Sequence, residues 1–365
     1  MRSSRNVSII IAAGVAVAIV TTIAVIFVTQ TGVKSSFYGK QLPVNGSYSS
    51  LALIQSIPIP NVNGRIDHMA VDITGREKLL FVAELGNNSL DIIDLNAGRR
   101  IHSIDNGLLN EPQGVAFIPQ FGRIFVSNGR DGSVDVFDAK TFNLNKNIKL
   151  PSGDADNIRY DPHTRLVYTG YGEGALGVIN ATAGTIVGDI KLTAHPESFQ
   201  IEAANKSAEG HNRIFVNVPD SNSVAVVDRQ KGTLLTTWSI PNAQNNFPMA
   251  LDESNHRLFV GTRDPARLIV FDTDSGKVVS SLNIAGDPDD IFYDAVKKRL
   301  YVSGGEGFIN IFQQQDANHY NPIGSIPTAP GARTSLFVPE LNRFYVAVPH
   351  QGSQESEIRV YKVGG

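Results

Sequence analysis

The sequence predicts an all-β fold, a seven-bladed β-propeller ectodomain preceded by one N-terminal transmembrane helix. Three observations predict it. Residues 7–28 carry no charge. From residue 50 onward a unit of roughly forty residues recurs, each with four short strand-like runs. The last unit lacks its fourth run, and residues 51–58 (LALIQSIP), ahead of the first unit, resemble it.

Taken in order, residues 1–6 hold Arg2 and Arg5 and are assigned to the cytoplasm. The uncharged run 7–28 is 22 residues long. As a helix it spans roughly 33 Å, close to the thickness of a bilayer core. The positive charges ahead of it put the N-terminus inside and the rest of the chain outside. The run is longer than the apolar core of a secretory signal, about 7–15 residues, and no small-x-small cleavage site follows Val28. It reads as an uncleaved anchor, with a cleaved signal as the alternative. Either way the remainder is expected to be extracytoplasmic, at the cell membrane or cell surface. Residues 29–49 are polar with Gly, Ser and Pro, the composition of a flexible stalk.

The propeller is expected over 50–365, with its last blade closed by strand 51–58. The second run of each unit reads LLFV (79–82), RIFV (123–126), RLVY (165–168), RIFV (213–216), RLFV (257–260), RLYV (299–302) and RFYV (343–346). The third reads LDIID (90–94), VDVFD (134–138), LGVIN (176–180), VAVVD (224–228) and LIVFD (268–272), then INIF (309–312) and IRVY (358–361) without the terminal acid. These runs alternate or carry β-branched and aromatic residues, and Gly, Asn, Asp or Pro bounds them. One such sheet cannot bury both faces alone, whereas sheets in a ring bury them against each other. The acid ending the third run is expected to cap the turn that follows.

The runs RIFVSNGRDGSVDVFD (123–138) and RLYVSGGEGFINIF (299–312) resemble the YVTN-type (YncE-like) β-propeller repeat family. The resemblance spans nearly the whole ectodomain and implies the fold. It leaves function open, because related propellers include surface-layer proteins, lactonase-like enzymes and binding modules.

Composition removes several chemistries. There is no Cys, hence no disulfide, thiolate zinc site, iron–sulfur cluster or Cys nucleophile. A net charge of −3 gives no footprint for nucleic acid. A single Trp, Trp238, argues against a quinone-cofactor propeller. No nucleophile elbow, phosphate loop or His-x-x-x-His pair occurs. The other histidines, His102, His163, His195, His211, His256 and His319, read as turn or outer-strand residues. The 203–211 insertion reads as a tolerated surface loop. Asn45, Asn87, Asn180 and Asn205 match the N-glycosylation sequon.

In a propeller, the loops entering the innermost strands and those joining second to third strands share one face. Aligning the units there brings together Asp67, His68, Gln113, Asn128, Arg130, Asp156, Asn157, Glu197, Arg263, Asp289, Arg333 and His350 as candidate ligand-binding residues. Asp67, Asp156, Glu197 and Asp289, with His68 and Asn157, are the candidate ligands of a divalent cation, calcium or magnesium by their oxygen-rich character. The alternative is a solvated acidic rim partly neutralised by Arg130, Arg263 and Arg333. Function is therefore read as binding or scaffolding for a surface protein, glycan or small molecule at the channel mouth. A metal-dependent lactonase-type hydrolase is the alternative, and no motif carries that group's ligands onto this sequence.

Overall fold

The computed structural model describes residues 50–203 and 212–364. The expected anchor (7–28), the stalk (29–49), most of the 203–211 insertion and the sequons at Asn45 and Asn205 lie outside the described residues. Among the described residues no helix is long and apolar enough to cross a membrane.

Seven four-stranded antiparallel sheets follow one another along the chain. Blade one is built from Met69–Asp72, Leu79–Glu84, Ser89–Asp94 and Arg99–Ile104, innermost strand first. Blades two to six repeat the plan, with innermost strands Pro112–Ile118, Ile158–Asp161, Phe199–Ile201, Gln244–Asp252 and Pro288–Asp294. Blade seven takes Ser335–Val338, Arg343–Val348 and Glu357–Val363 from the chain's end and Leu51–Pro58 from its beginning. Leu51 lies opposite Val363 and Pro58 opposite Glu357, so the expected closure of the ring is present.

The hydrophobic-aromatic-Val pattern has a direct physical meaning. Successive side chains on a strand point to opposite faces. Leu80 and Val82 therefore pack against blade seven, while Phe81 packs against blade two. Ile124 and Val126 face blade one, and Phe125 faces blade three. The core is accordingly divided into seven apolar layers, one between each pair of neighbouring blades.

Blade three departs from the alignment by one residue. Arg123, Arg213 and Arg257 sit opposite the acid that ends the third strand, but in blade three Leu166 takes that place, opposite Asn180. Arg165 instead occupies the left-handed turn position, φ 59°, that Gly122, His256 and Asn342 hold elsewhere. Its structural repeat is thus LVYT rather than RLVY, and Tyr168, not Val167, is the aromatic that faces the next blade. A slip of one residue exchanges the faces.

The third-strand acids cap turns, as expected. Asp94 accepts from the amides of Asn96 and Ala97, Asp138 from those of Lys140 and Thr141, and Asp228 from those of Gln230 and Lys231. Asn180 does the same for Thr182 and Ala183. Every outermost strand carries a register irregularity against the third strand at the same point, which skips Ile101, Asn145, Val187, Leu235, Val279, Ile323 and Ile54 in blades one to seven. Such bulges bend an edge away from further pairing.

Candidate functional site

The residues just ahead of the innermost strands are pinned to the second strand of their own blade. Asp67 N donates to Ala83 O at 2.7 Å and Ala83 N to His68 O at 3.0 Å. The same pair of bonds joins Asp156–Asn157 to Gly170 and Glu197–Ser198 to Asn217. The three loops are thus anchored at equivalent points of their blades. Two glycines permit the close approach. A Cβ on Gly86 would lie 2.6 Å from Arg65 N, and one on Gly114 would lie 2.5 Å from Asp156 O. Ser127 of blade two donates to that same Asp156 carbonyl, tying blade two to blade three.

The mouth divides into two electrostatic halves. In the first, guanidinium groups compensate acids. Arg65 lies 2.7 Å from Asp67, and His68 Nδ1 lies 2.8 Å from its other oxygen. Burial pushes the Asp67 carboxyl up, but Arg65, His68 and Arg333 outweigh it and hold it at about 2. For His68, burial works against the charge, and Asp67, Asp290 and Asp156 overcome it, raising the imidazole to about 9. Arg263 contacts Asp289 and lies 3.1 Å from Asp287; Arg333 lies 2.7 Å from Asp287 and 3.1 Å from Asp289. The Arg263 guanidinium also lies 3.7 Å from the centre of the Phe247 ring.

In the second half the acids have no such partner. Asp156 is only 5% exposed and takes a single long contact, 3.4 Å, from Asn157 Nδ2. Burial, then the Asp67 charge, push it up to about 6. Glu197 is pushed well above the usual carboxylate range by burial and then by Asp156, Asp289 and Asp67. Neither makes an ion pair with Lys or Arg among the described residues. His195 stands beside them, and Asp156, His195 and Glu197 offer ligand atoms within 4.8 Å of one another. The four-acid metal set expected from sequence is thus split: Asp67 and Asp289 sit against arginines, while Asp156 and Glu197 gather with a histidine.

Not every expected residue joins the mouth cluster. Asn128 is buried and structural: its Nδ2 donates to Ser133 Oγ and Asp135, and its Oδ1 accepts from Asn110 N. Arg130 pairs with Glu111 on an exposed rim. Gln113 is buried, and its backbone oxygen accepts from His68 N at 3.2 Å. His350 is exposed, in the segment between Arg343–Val348 and Glu357–Val363.

Below the mouth, a cavity of about 680 Å³ runs along the axis. His68, Ser198 and Asp290 line it nearest the mouth; Met249, Ile291 and Ser335 share the next rung; Arg159, then Val71 and Leu251, follow along the innermost strands, and Pro119, Gln120 and Pro162 lie past the far ends of theirs. Asp290 accepts from Ser335 N at 2.7 Å, and burial pushes its carboxyl up to about 7.

No protein-family model matches the chain. Among curated proteins it is similar to "Uncharacterized protein YncE" of Salmonella typhimurium, 24% identical over 182 residues, 49% of this chain and 50% of that protein. It is also similar to "Antigen Lp49" of Leptospira interrogans, 21% identical over 242 residues, 61% of this chain and 50% of that protein. The chain is a seven-bladed β-propeller with YncE-like relatives at low identity. It spans about half the length of the curated relatives it matches. Solved structures with the same fold include the WD40 repeats of RRP9, TM-score 0.73 at 9% identity, covering 87% of this chain and 100% of that one. A chain of the mitotic checkpoint complex gives 0.69 at 13%, covering 88% and 95%. Hydrazine synthase of Kuenenia stuttgartiensis gives 0.66 at 18%, covering 77% and 92%. These likenesses show the architecture alone.

Sequence reasoning missed four members of this mouth: Arg65, Arg159, Asp287 and His195. Arg65, Asp287 and His195 lie two residues ahead of positions that the alignment selected, and Arg159 lies two residues beyond one. A wider window around each innermost strand would have found them.

Proposed function

We propose that this chain is a membrane-anchored, extracytoplasmic binding module that takes its ligand at the channel mouth. The observation that carries the reading is a rim of fixed charges over a 680 Å³ cavity. Arg263 and Arg333 are held by Asp287 and Asp289 before any ligand arrives. Preorganised groups lose little freedom on binding, so they favour recognition. The uncharged 7–28 run supports the anchor and the outward placement. Net acidity and the absence of a basic stripe speak against nucleic acid as the partner. The test offers immobilised full-length protein in detergent a cell-surface extract, a glycan array and a small-molecule pool. Capture that the double variant Arg263→Ala/Arg333→Ala abolishes supports the reading. No capture, or capture indifferent to those changes, overturns it.

One observation favours a second reading, a metal-dependent hydrolase of lactonase type. The Asp156–His195–Glu197 cluster offers three ligand atoms within 4.8 Å of one another, and an ion held there would activate a water. That reading requires lactone turnover that Glu197→Gln removes.

A further inference from the structure

We propose that Asp156, His195 and Glu197 bind one divalent transition-metal ion, with Asn157 Oδ1 as a further donor, so that the ion joins blade three to blade four. The proposal stands whether the propeller binds or hydrolyses its ligand.

Four independent features point to it. The three side chains present ligand atoms within 4.8 Å of one another. Small rotations bring atoms so spaced onto a common centre at about 2.0–2.2 Å, the reach of zinc's nitrogen and oxygen ligands. His195 Nδ1 lies 2.7 Å from Gly172 O and 3.5 Å from Asp154. Donation to that carbonyl leaves the lone pair on Nε2, the arrangement in which a backbone oxygen orients a metal-ligating imidazole. Asp156 is buried, and His68, Arg65 and His195 act on it only through space; no salt bridge holds it, in contrast to Asp67 and Asp289 in the same mouth. An uncompensated buried carboxylate is costly, and a dication offsets two of them at once. Finally, Asn157 Oδ1 is buried without a hydrogen-bond partner. It belongs to the side chain whose Nδ2 already lies 3.4 Å from Asp156 Oδ1.

The donor set chooses the ion. Calcium, magnesium and manganese prefer oxygen donors, whereas imidazole suits zinc, copper, iron and nickel. Inclusion of His195 therefore moves the assignment away from the calcium or magnesium that four carboxylates suggest.

The experiment measures metal on full-length protein, by elemental analysis after dialysis and by titration with Zn²⁺, Mn²⁺ and Ca²⁺. One zinc per chain is expected, bound at least 100-fold more tightly than calcium or manganese. His195→Gln and Glu197→Gln each weaken it at least tenfold while the circular dichroism melt stays within a few degrees. Asp94→Asn, a turn cap elsewhere, leaves the affinity unchanged. No retained ion, calcium bound as tightly as zinc, or an unaffected His195→Gln protein each overturns the proposal. Loss of ligand capture with zinc still bound sinks the binding-module reading alone.

Discussion

Glu84 ends the second strand of blade one with no exposure to solvent. Its carboxyl accepts from Ser89 Oγ and is hydrogen-bonded to Asp91, which in turn pairs with Arg100 at 2.8 Å. Burial and then the Asp91 charge raise it to about 9, so the side chain is a neutral acid across the ordinary pH range. The direction of linkage follows. Between its ordinary value near 4.5 and about 9, folded protein holds a proton that unfolded protein has released. Stability is therefore full below that window and declines as pH rises through it, by up to about 1.4 kcal/mol per pH unit. Glu84→Gln preserves the donor towards Asp91 without a titrating group. The wild-type melting temperature is expected to fall from pH 6 to pH 9, and the Gln variant to show a visibly flatter profile. Parallel profiles for the two proteins would refute the assignment.

At the scale of elements, the loop entering blade three fits because position 114 has no side chain. Gly114→Ala sets a Cβ 2.5 Å from Asp156 O and 2.7 Å from Ser127 Oγ, so the backbone of Asp156 must move. A loss of about 1–3 kcal/mol is expected in a urea titration, together with weaker metal binding at Asp156. An Ala variant with unchanged midpoint and unchanged zinc affinity would show that the loop yields freely. The repeat made strands and their order legible, because a period of two and a regular turn spacing survive in every unit. Register was less legible. Arg165 matched the arginine of its neighbours by identity, but the turn before it needed a residue in the left-handed conformation and took Arg165 for that place. The site was legible as a face and not as a set of contacts. Alignment gathered Asp67, Asp156, Glu197 and Asp289, but which acid meets an arginine depends on Arg65 folding onto Asp67 within its own loop and on Arg263 and Arg333 crossing between blades, and no repeat periodicity encodes that. His195 was passed over because a lone loop histidine carries no pattern.

For the whole molecule, stability resides in seven equivalent layers rather than one core, so the seal between first and last strands counts as much as any other. Ile57 is fully buried in the layer shared by blades seven and one. Ile57→Ala is expected to cost about 2–5 kcal/mol in denaturant unfolding. Ile54, three residues away on the bulge and 48% exposed, should tolerate Ser within about 0.5 kcal/mol. Equal effects at both positions would contradict the closed ring. The seal also dictates a schedule. Leu51–Pro58 leaves the ribosome ahead of every blade, and its partner Glu357–Val363 leaves after all of them. At about 5–20 residues per second, some 300 residues of translation separate the two, roughly 15–60 s. Through that interval six sheets can stack in succession into an open arc, while the earliest strand waits as a bare edge. The propeller strand born first is the last to find its place, and guarding it from stray partners is a demand that synthesis, not equilibrium, imposes.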